Sequence, residues 1–548
     1  MIPPKHPRQP KGALDDAIAF VSRDLQKCLE TTLCVMANPT YDIDPNWDAS
    51  SAGSSISSEL KGLDVEQGRG IQKPQRQALY RGLENREEVV CKIRSLHTDA
   101  LKKLAVKCED LFMAGQKDQL RFGVDSWSDF RLTSDKPCCE AGDAVYYTAS
   151  YAKDPLNNYA VKICKSKAKE SRQYYHSLAV RQSLAVHFNI QQDCGHFLAE
   201  VPNRLLPWED PDAPEEEEDE MEATEEVKGE TDGKSPEPGS EAESSHGESQ
   251  AVVSRKQRSH VVVITREVPC LTVADFVRDS LAQHGKNPDA YERQVCLLLL
   301  QLCSGLEHLK PYHVTHCDLR LENLLLVHHR PRGTTQGLGP AEPGPTSSCP
   351  TRLIVSNFSQ AKQKSHLVDP EILRDQSRLA PEIITATQYK KCDEFQTGIL
   401  IYEMLHLPNP FDENPELKEK EYTRADLPRI PLRSPYSRGL QQLASCLLNP
   451  NPSERILISD AKGILQCLLW GPREDLFQTF TTSPNPMQRN ALLQNWLDIK
   501  RTLLMIKFAE KSLDRDGGVS LEDWLCAQYL AFATPDSLSC IVKILQPR

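Results

Sequence analysis

The 548 residues are 39% hydrophobic and 26% charged, the balance of a chain with a sizeable core, and their number suits two to four domains. Acidic residues outnumber basic ones 77 to 65, yet the excess is local: Trp208 to Gln250 holds 18 acidic residues and two lysines, leaving the remainder near neutral. That balance argues against a dedicated nucleic-acid binder, and the longest apolar run, Val295 to Cys303, is about half of what a bilayer crossing needs.

The first residues, Met1-Ile2-Pro3-Pro4-Lys5, lack the apolar core of a signal peptide, and the 18 cysteines form no C-x-x-C pair. Reduced, cytosolic thiols are expected. Residues 1–73 are expected to be mostly disordered, apart from helical spacing over Leu14 to Met36. Two linear motifs lie there. Asn38-Pro39-Thr40-Tyr41 is an N-P-x-Y, the turn form that phosphotyrosine-binding domains read, and Pro3 to Arg8 has the proline spacing and basic residue of an SH3 ligand. An unused tyrosine and a plain proline-rich tail are the alternatives.

From Pro74 to about residue 116 the pattern predicts one long amphipathic helix. Leu83, Val90, Ile93 and Leu104 lie on its apolar stripe, Pro74 opens it and Gly115 closes it. A helix of roughly 39 residues extends nearly 60 Å, too long for one small core, so a partner surface is expected. Short β-branched runs follow at Tyr159 to Cys164 and Val261 to Thr265. The acidic tract (207–257) between them and a Gly/Pro-rich insert (330–350) are both expected to loop out. After Asp375 nearly everything looks helical, with an amphipathic stretch around Leu492, Leu493, Trp496, Leu497, Leu503 and Leu504. Asp514 to Gly518 only faintly resembles a calcium loop, because Gly518 and Val519 stand where a ligand and the required glycine belong; a turn and a helix capped by Ser520 are expected instead.

The chemistry-bearing signal is His316-Cys317-Asp318-Leu319-Arg320-Leu321-Glu322-Asn323, after a helix predicted over Tyr291 to Leu309. It resembles the protein kinase catalytic loop, whose Asp accepts the substrate proton and whose Asn holds a metal ion. Its companions stand in kinase order. Tyr159-Ala160-Val161-Lys162 resembles the strand carrying the phosphate-binding Lys, and Asn357-Phe358-Ser359 sits where D-F-G belongs. Ala380-Pro381-Glu382 is an intact A-P-E, Asp393 takes the buried anchor position, and Arg455 is the expected partner of Glu382.

Several departures fall on the groups that hold nucleotide. Cys138, Glu140 and Asp143 occupy the three positions of the glycine-rich loop, where glycines let backbone approach phosphate, and each carboxylate would repel the ligand by about 1–4 kcal/mol. Asn357 replaces the metal-binding Asp. Ser171 to Leu198 contains no Glu to pair with Lys162, and Cys317 replaces the Arg that clamps a phosphorylated activation loop. Lys162, Asp318, Asn323 and Asn357 are therefore expected to be vestigial, with His316 and Phe358 in packing roles. No metal or nucleotide cofactor is expected.

His316-Cys317-Asp318 with Asn357-Phe358-Ser359, bracketed by helices, resembles the pragmin and pseudopodium-enriched atypical kinase family over roughly residues 75–540, nearest to its pragmin branch. The resemblance implies an α+β, two-lobed protein-kinase-like fold over 125–466, flanked by dimerisation helices at 74–116 and 467–548. Leu83, Val90, Ile93, Leu104, Leu493, Trp496 and Leu497 lie on those helices. It implies a cytoplasmic scaffold without phosphotransfer, with the cytoskeleton or focal adhesions as expected places of action. Its partners would be a second copy or a related family member, SH2, PTB or SH3 adaptors, and tyrosine kinases of the Src-regulatory pathway. A low-activity kinase working through Asp318 with a remodelled metal site is the alternative.

Overall fold

The computed structural model describes residues 86–113, 122–123, 126–167, 171–208, 259–328, 351–363, 376–386, 390–419, 422–472, 485–513 and 519–545. Asn38, Pro39, Tyr41, the proline cluster, Leu83, the acidic tract beyond Trp208, the Gly/Pro insert and Asp514 to Gly518 lie outside the described residues.

Helix α1 (Arg86–Phe112) precedes strands β1 (Phe130–Leu132), β2 (Cys139–Glu140), β3 (Ala144–Tyr151) and β4 (Asp154–Lys167). Helix α2 (Ser171–Gln182), β5 (Asp193–Ala199), β6 (His260–Thr265) and β7 (Leu271–Thr272) follow. Next come α3 (Val273–Asp279), α4 (Leu281–Lys286), α5 (Pro288–Leu309), β8 (Val314–Thr315), β9 (Leu324–His328), β10 (Thr351–Val355) and β11 (Lys362–Gln363). The remainder is helical: α6 (Pro381–Ala386), α7 (Cys392–Met404), α8 (Pro410–Glu413), α9 (Glu416–Glu419) and α10 (Ser437–Leu447), then α11 (Ile458–Trp470), α12 (Pro486–Leu513), α13 (Leu521–Phe532) and α14 (Pro535–Leu545). Two compact units result. One takes the described residues of 116–328 and 351–465, the other those before 116 and after 465.

In the first unit, an antiparallel sheet runs β1-β3-β4-β6-β5, with β2 folded back on β3. Side chains alternate faces along a strand, and here both faces are apolar. Val145, Tyr147, Ala149, Val161, Ile163, Val262 and Ile264 build one cluster with Phe197. On the opposite face Ala144, Tyr146 and Ala160 meet Leu325 of β9 and Ile354 of β10. Helix α5 starts where Asn287 accepts from Ala290 N at 3.2 Å and Pro288 fills the first turn. Helix α7 is buried almost all round, as an interior helix must be to carry Ile399, Leu400 and Ile401.

The other unit packs α13 against α1, with α12 alongside. Trp524 stacks on Phe112 at 5.0 Å and donates its indole N–H to Ala105 O at 3.0 Å. Arg94 binds the Asp498 carboxylate at 2.9 Å, and Arg501 donates to the carbonyls of Leu530 and Ala533. Ser520 caps α13 by accepting from Asp523 N. This packing corrects one expectation. Leu104, Leu493 and Leu497 are buried within the chain itself and offer nothing to a partner. What α12 turns outward is a different row: Leu492, Ile499, Leu503 and Ile506 are exposed and Trp496 is half-exposed, at successive spacings of four, three, four and three.

Glu382 and Arg455 form a two-pronged ion pair at 2.6 and 3.0 Å with both side chains buried. Arg455→Met is expected to lower stability by about 3–5 kcal/mol because it leaves the Glu382 carboxylate buried and unpaired. Adding Glu382→Leu should recover much of that loss in chemical denaturation, since the stranded charge is then gone.

Candidate functional site: a self-filled kinase cleft

The loop between β8 and β9 is held from below by α7. Asp393 accepts the backbone N–H groups of His316 and Cys317, both at 2.9 Å. Gln396 accepts Leu319 N at 2.8 Å and donates to Cys317 O at 2.9 Å. These four bonds hold Cys317 at φ 67°, a left-handed conformation that costs a non-glycine residue about 1–3 kcal/mol. His316 donates Nε2–H to Ser356 O at 2.8 Å and meets Phe358 edge-on, so both residues pack. The polar frame of a kinase loop is present.

What the frame presents is already engaged. Asp318 accepts from Arg320 Nε at 2.7 Å through one oxygen and from Asn323 Nδ2 at 3.0 Å through the other. Asn323 Oδ1 accepts from Asn357 Nδ2 at 3.2 Å. Asn357 Oδ1 accepts the Ser359 hydroxyl at 2.7 Å. The two amide oxygens that would serve a metal ion are therefore satisfied by neighbouring donors, and neither residue brings a charge. Among the described residues no cluster of three or more His, Cys, Asp or Glu could hold a metal ion.

The glycine-rich loop has contracted to a hairpin. β2 and β3 pair as Cys139 with Tyr146 and Glu140 with Val145, and Ala141 N donates to Ala144 O at 2.8 Å. Only Gly142 and Asp143 remain at the tip. Gly142 N reaches Glu322 O at 3.3 Å, and a Cβ at this glycine would stand 3.0 Å from Asn323 Oδ1. Glycine eases that close approach, since any side chain here would press Asn323 and Glu322 aside. The tip thus rests on the metal-binding end of the loop below it.

Asp143 corrects the repulsive role expected for it. Its Oδ2 lies 2.5 Å from Lys162 Nζ, which is almost fully buried. Burial alone would lower the Lys162 pKa, but the Asp143 carboxylate reverses that and holds it above the usual lysine range. Asp143 Oδ1 is buried without a hydrogen-bond partner among the described residues, so the pair carries a desolvation cost. The helix that lacks a Glu carries Arg181 instead, paired with Asp193 at 2.7 Å and 5.9 Å from the Phe358 ring. Beneath the hairpin the space is apolar and filled. Tyr146, buried and held by Gln191 Nε2 donating to its hydroxyl at 3.0 Å, packs with Cys139, Ala141, Ala160, Leu325 and Ile354. A cavity of about 530 Å³ lies elsewhere, lined by Leu178, Arg181, Leu184, Ile190 and Asp193.

Sequence reasoning missed Gly142, Tyr146, Gln191, Arg181 and Asp193. The signals were a bulky Tyr on a cleft-facing strand position and an Arg where an acidic partner belongs.

Residues 253–464 match the protein kinase domain family. The chain is 79% identical to the human inactive tyrosine-protein kinase PEAK1, along its whole length and over 36% of that protein. A crystal structure of the pseudokinase PEAK1, 77% identical, covers 84% of this chain and all of its own, with a TM-score of 0.65. The chain belongs to the PEAK1 and pragmin family of inactive tyrosine-protein kinases. Rat PRAG1 (pragmin) is 48% identical over 85% of the chain, so identity is higher to PEAK1 than to pragmin, the reverse of the order the motifs suggested. The chain spans about a third of the length of these curated relatives.

Asp143→Ala is expected to destabilise this family member by about 3 kcal/mol, because the Lys162 ammonium keeps its burial and loses its counter-charge. Asp143→Ala with Lys162→Met should be markedly more stable than Asp143→Ala alone in urea unfolding.

Proposed function

We propose that this chain is a catalytically inactive protein-kinase-like scaffold that dimerises and gathers signalling proteins in tyrosine-kinase, migration and cytoskeletal pathways. One observation carries the inactive half of that reading: the hairpin tip sits against Asn323 while its own carboxylate occupies Lys162. Phosphoryl transfer needs phosphate cradle, metal and base together. Lys162, Asp318, Asn323 and Asn357 are vestigial in this reading, Lys162 being taken by Asp143 and the other three serving one another. Purified protein is expected to show no melting shift with millimolar ATP and Mg²⁺. Asp143→Ala should show none either, because Asn357 still faces Asn323. A shift in the wild type with Asp318-dependent phosphate incorporation would instead establish the low-activity kinase.

The scaffold half rests on the family and on the surface. The proposed plan is a mostly disordered segment (1–73), a dimerisation helix (74–116), the pseudokinase domain (125–466) and a helical dimerisation region (467–548). The outward row on α12 supports a dimer, since apolar residues spaced alternately four and three apart form the seam of a helix pair. Val90 is exposed and Ile93 half-buried on α1, and both could extend such a surface. Phosphotyrosine readers at Asn38-Pro39-Thr40-Tyr41 and SH3 domains at Pro3 to Arg8 would be the recruited modules, and pairing two chains raises their local concentration. A cytoplasmic site near the cytoskeleton or focal adhesions follows from those pathways; among the described residues no helix is long and apolar enough to cross a membrane.

Ile499→Glu with Leu503→Glu is expected to halve the mass in analytical ultracentrifugation while leaving the melting temperature within a few degrees. Leu497→Ala, on the buried side, should instead cost about 2–5 kcal/mol of stability. An unchanged mass for the double glutamate variant would remove α12 from the interface.

A further inference from the structure

Away from the cleft, a chain of polar groups ties five segments of the kinase-like unit together. His406, just after α7, is held in the left-handed region at φ 59°, and its Nε2 lies 2.7 Å from Val277 O on α3. Its Nδ1 lies 2.9 Å from Nδ1 of His284 on α4. Nε2 of His284 lies 3.3 Å from Glu292 Oε1 on α5. Glu292 Oε2 accepts the hydroxyls of Ser434 at 2.5 Å and Ser437 at 2.6 Å, ahead of and at the start of α10. His284 and Glu292 are fully buried, and the Tyr291 ring covers His284 at 4.5 Å.

Counting hydrogens gives the inference. A carbonyl only accepts, so His406 Nε2 must carry a hydrogen. The His406–His284 gap needs a second, and the His284–Glu292 gap needs a third. Two neutral imidazoles bring two, a carboxylate brings none, and both serine hydrogens point to the other oxygen. We propose that the His406–His284–Glu292 chain takes up one proton on folding beyond those its groups carry unfolded at pH 7–8, and so acts as a pH-dependent tie between α3, α4, α5, α7 and α10.

The surroundings bear on where that proton sits. Burial, His406 and Arg433 together lower the His284 pKa from the ordinary histidine value although Glu292 raises it, so the third hydrogen is placed by the hydrogen-bond count and is shared across the His284–Glu292 gap. The titratable groups facing the chain are Tyr291 and Glu292 from α5, Arg433 from the segment before α10, and the two histidines. On α3, Asp275, Arg278 and Asp279 pair with one another toward solvent. Above the ordinary histidine pKa of about 6.5 the unfolded chain binds fewer protons here than the folded one. The contribution of the tie is therefore greatest near that pH and weakens as pH rises above it; below it the two unfolded imidazoles carry four ring hydrogens against three in the folded chain, and stability falls again.

The test compares chemical denaturation of the wild-type chain and Glu292→Gln from pH 6.5 to 8.5. A glutamine amide supplies the third hydrogen permanently while its carbonyl still accepts from the serines. The wild-type folding constant is expected to fall relative to the variant by up to tenfold per pH unit. Parallel profiles for the two proteins would overturn the proposal. Should Glu292→Gln fail to fold, ¹⁵N spectra of the wild-type histidine rings with the ¹³C shift of the Glu292 carboxyl decide at pH 7.5. Three protons across the three groups sustain the proposal, and two refute it.

Discussion

The closure of the cleft depends on one short contact, the tip of the β2–β3 hairpin against the loop between β8 and β9. A Cβ on Gly142 would stand 3.0 Å from Asn323 Oδ1, so the absence of a side chain eases this approach, and Asp143 then meets Lys162 from above. A phosphate cradle needs backbone N–H groups facing an open space. Here the space is removed by the backbone that should border it. The protein supplies its own anion to the buried lysine, and Tyr146 with its apolar neighbours fills the volume beneath.

The frame that supports such a loop is intact, although the groups around it that would hold nucleotide are engaged with one another. Asp393 and Gln396 hold the backbone of His316, Cys317 and Leu319 from α7, and Arg455 neutralises Glu382 inside the large lobe. None of these bonds touches a nucleotide. They satisfy buried N–H, carbonyl and carboxylate groups that would otherwise cost several kcal/mol each. The fold therefore keeps its kinase character through the residues that stabilise it, while those that would face a ligand have turned to one another.

Much of this was legible beforehand. The order of the motifs around Lys162, His316, Asn357, Glu382 and Arg455 pointed to the two-lobed fold, because those positions are tied to particular strands and helices. Short β-branched runs marked β4 and β6, and Ser520 marked the start of α13. The weak points were matters of direction. Leu493 and Leu497 belong to an amphipathic helix, but which of its two apolar rows turns inward depends on α1 and α13, which pack against it from other parts of the chain. Asp143 looked like an obstacle to phosphate because sequence spacing gives its position and not its partner.

The amino-acid sequence by itself determined that a kinase-like core is present and that its metal and phosphate positions hold the wrong groups, since residue type limits charge and ligand capacity wherever a side chain lands. Only the tertiary structure decided how the emptied site is used. Whether a carboxylate repels or pairs, and whether a hairpin arches over a cavity or lies down in it, depends on separations of a few ångströms between segments far apart in the chain, here Asp143 and Lys162 above, Gly142 and Asn323 below.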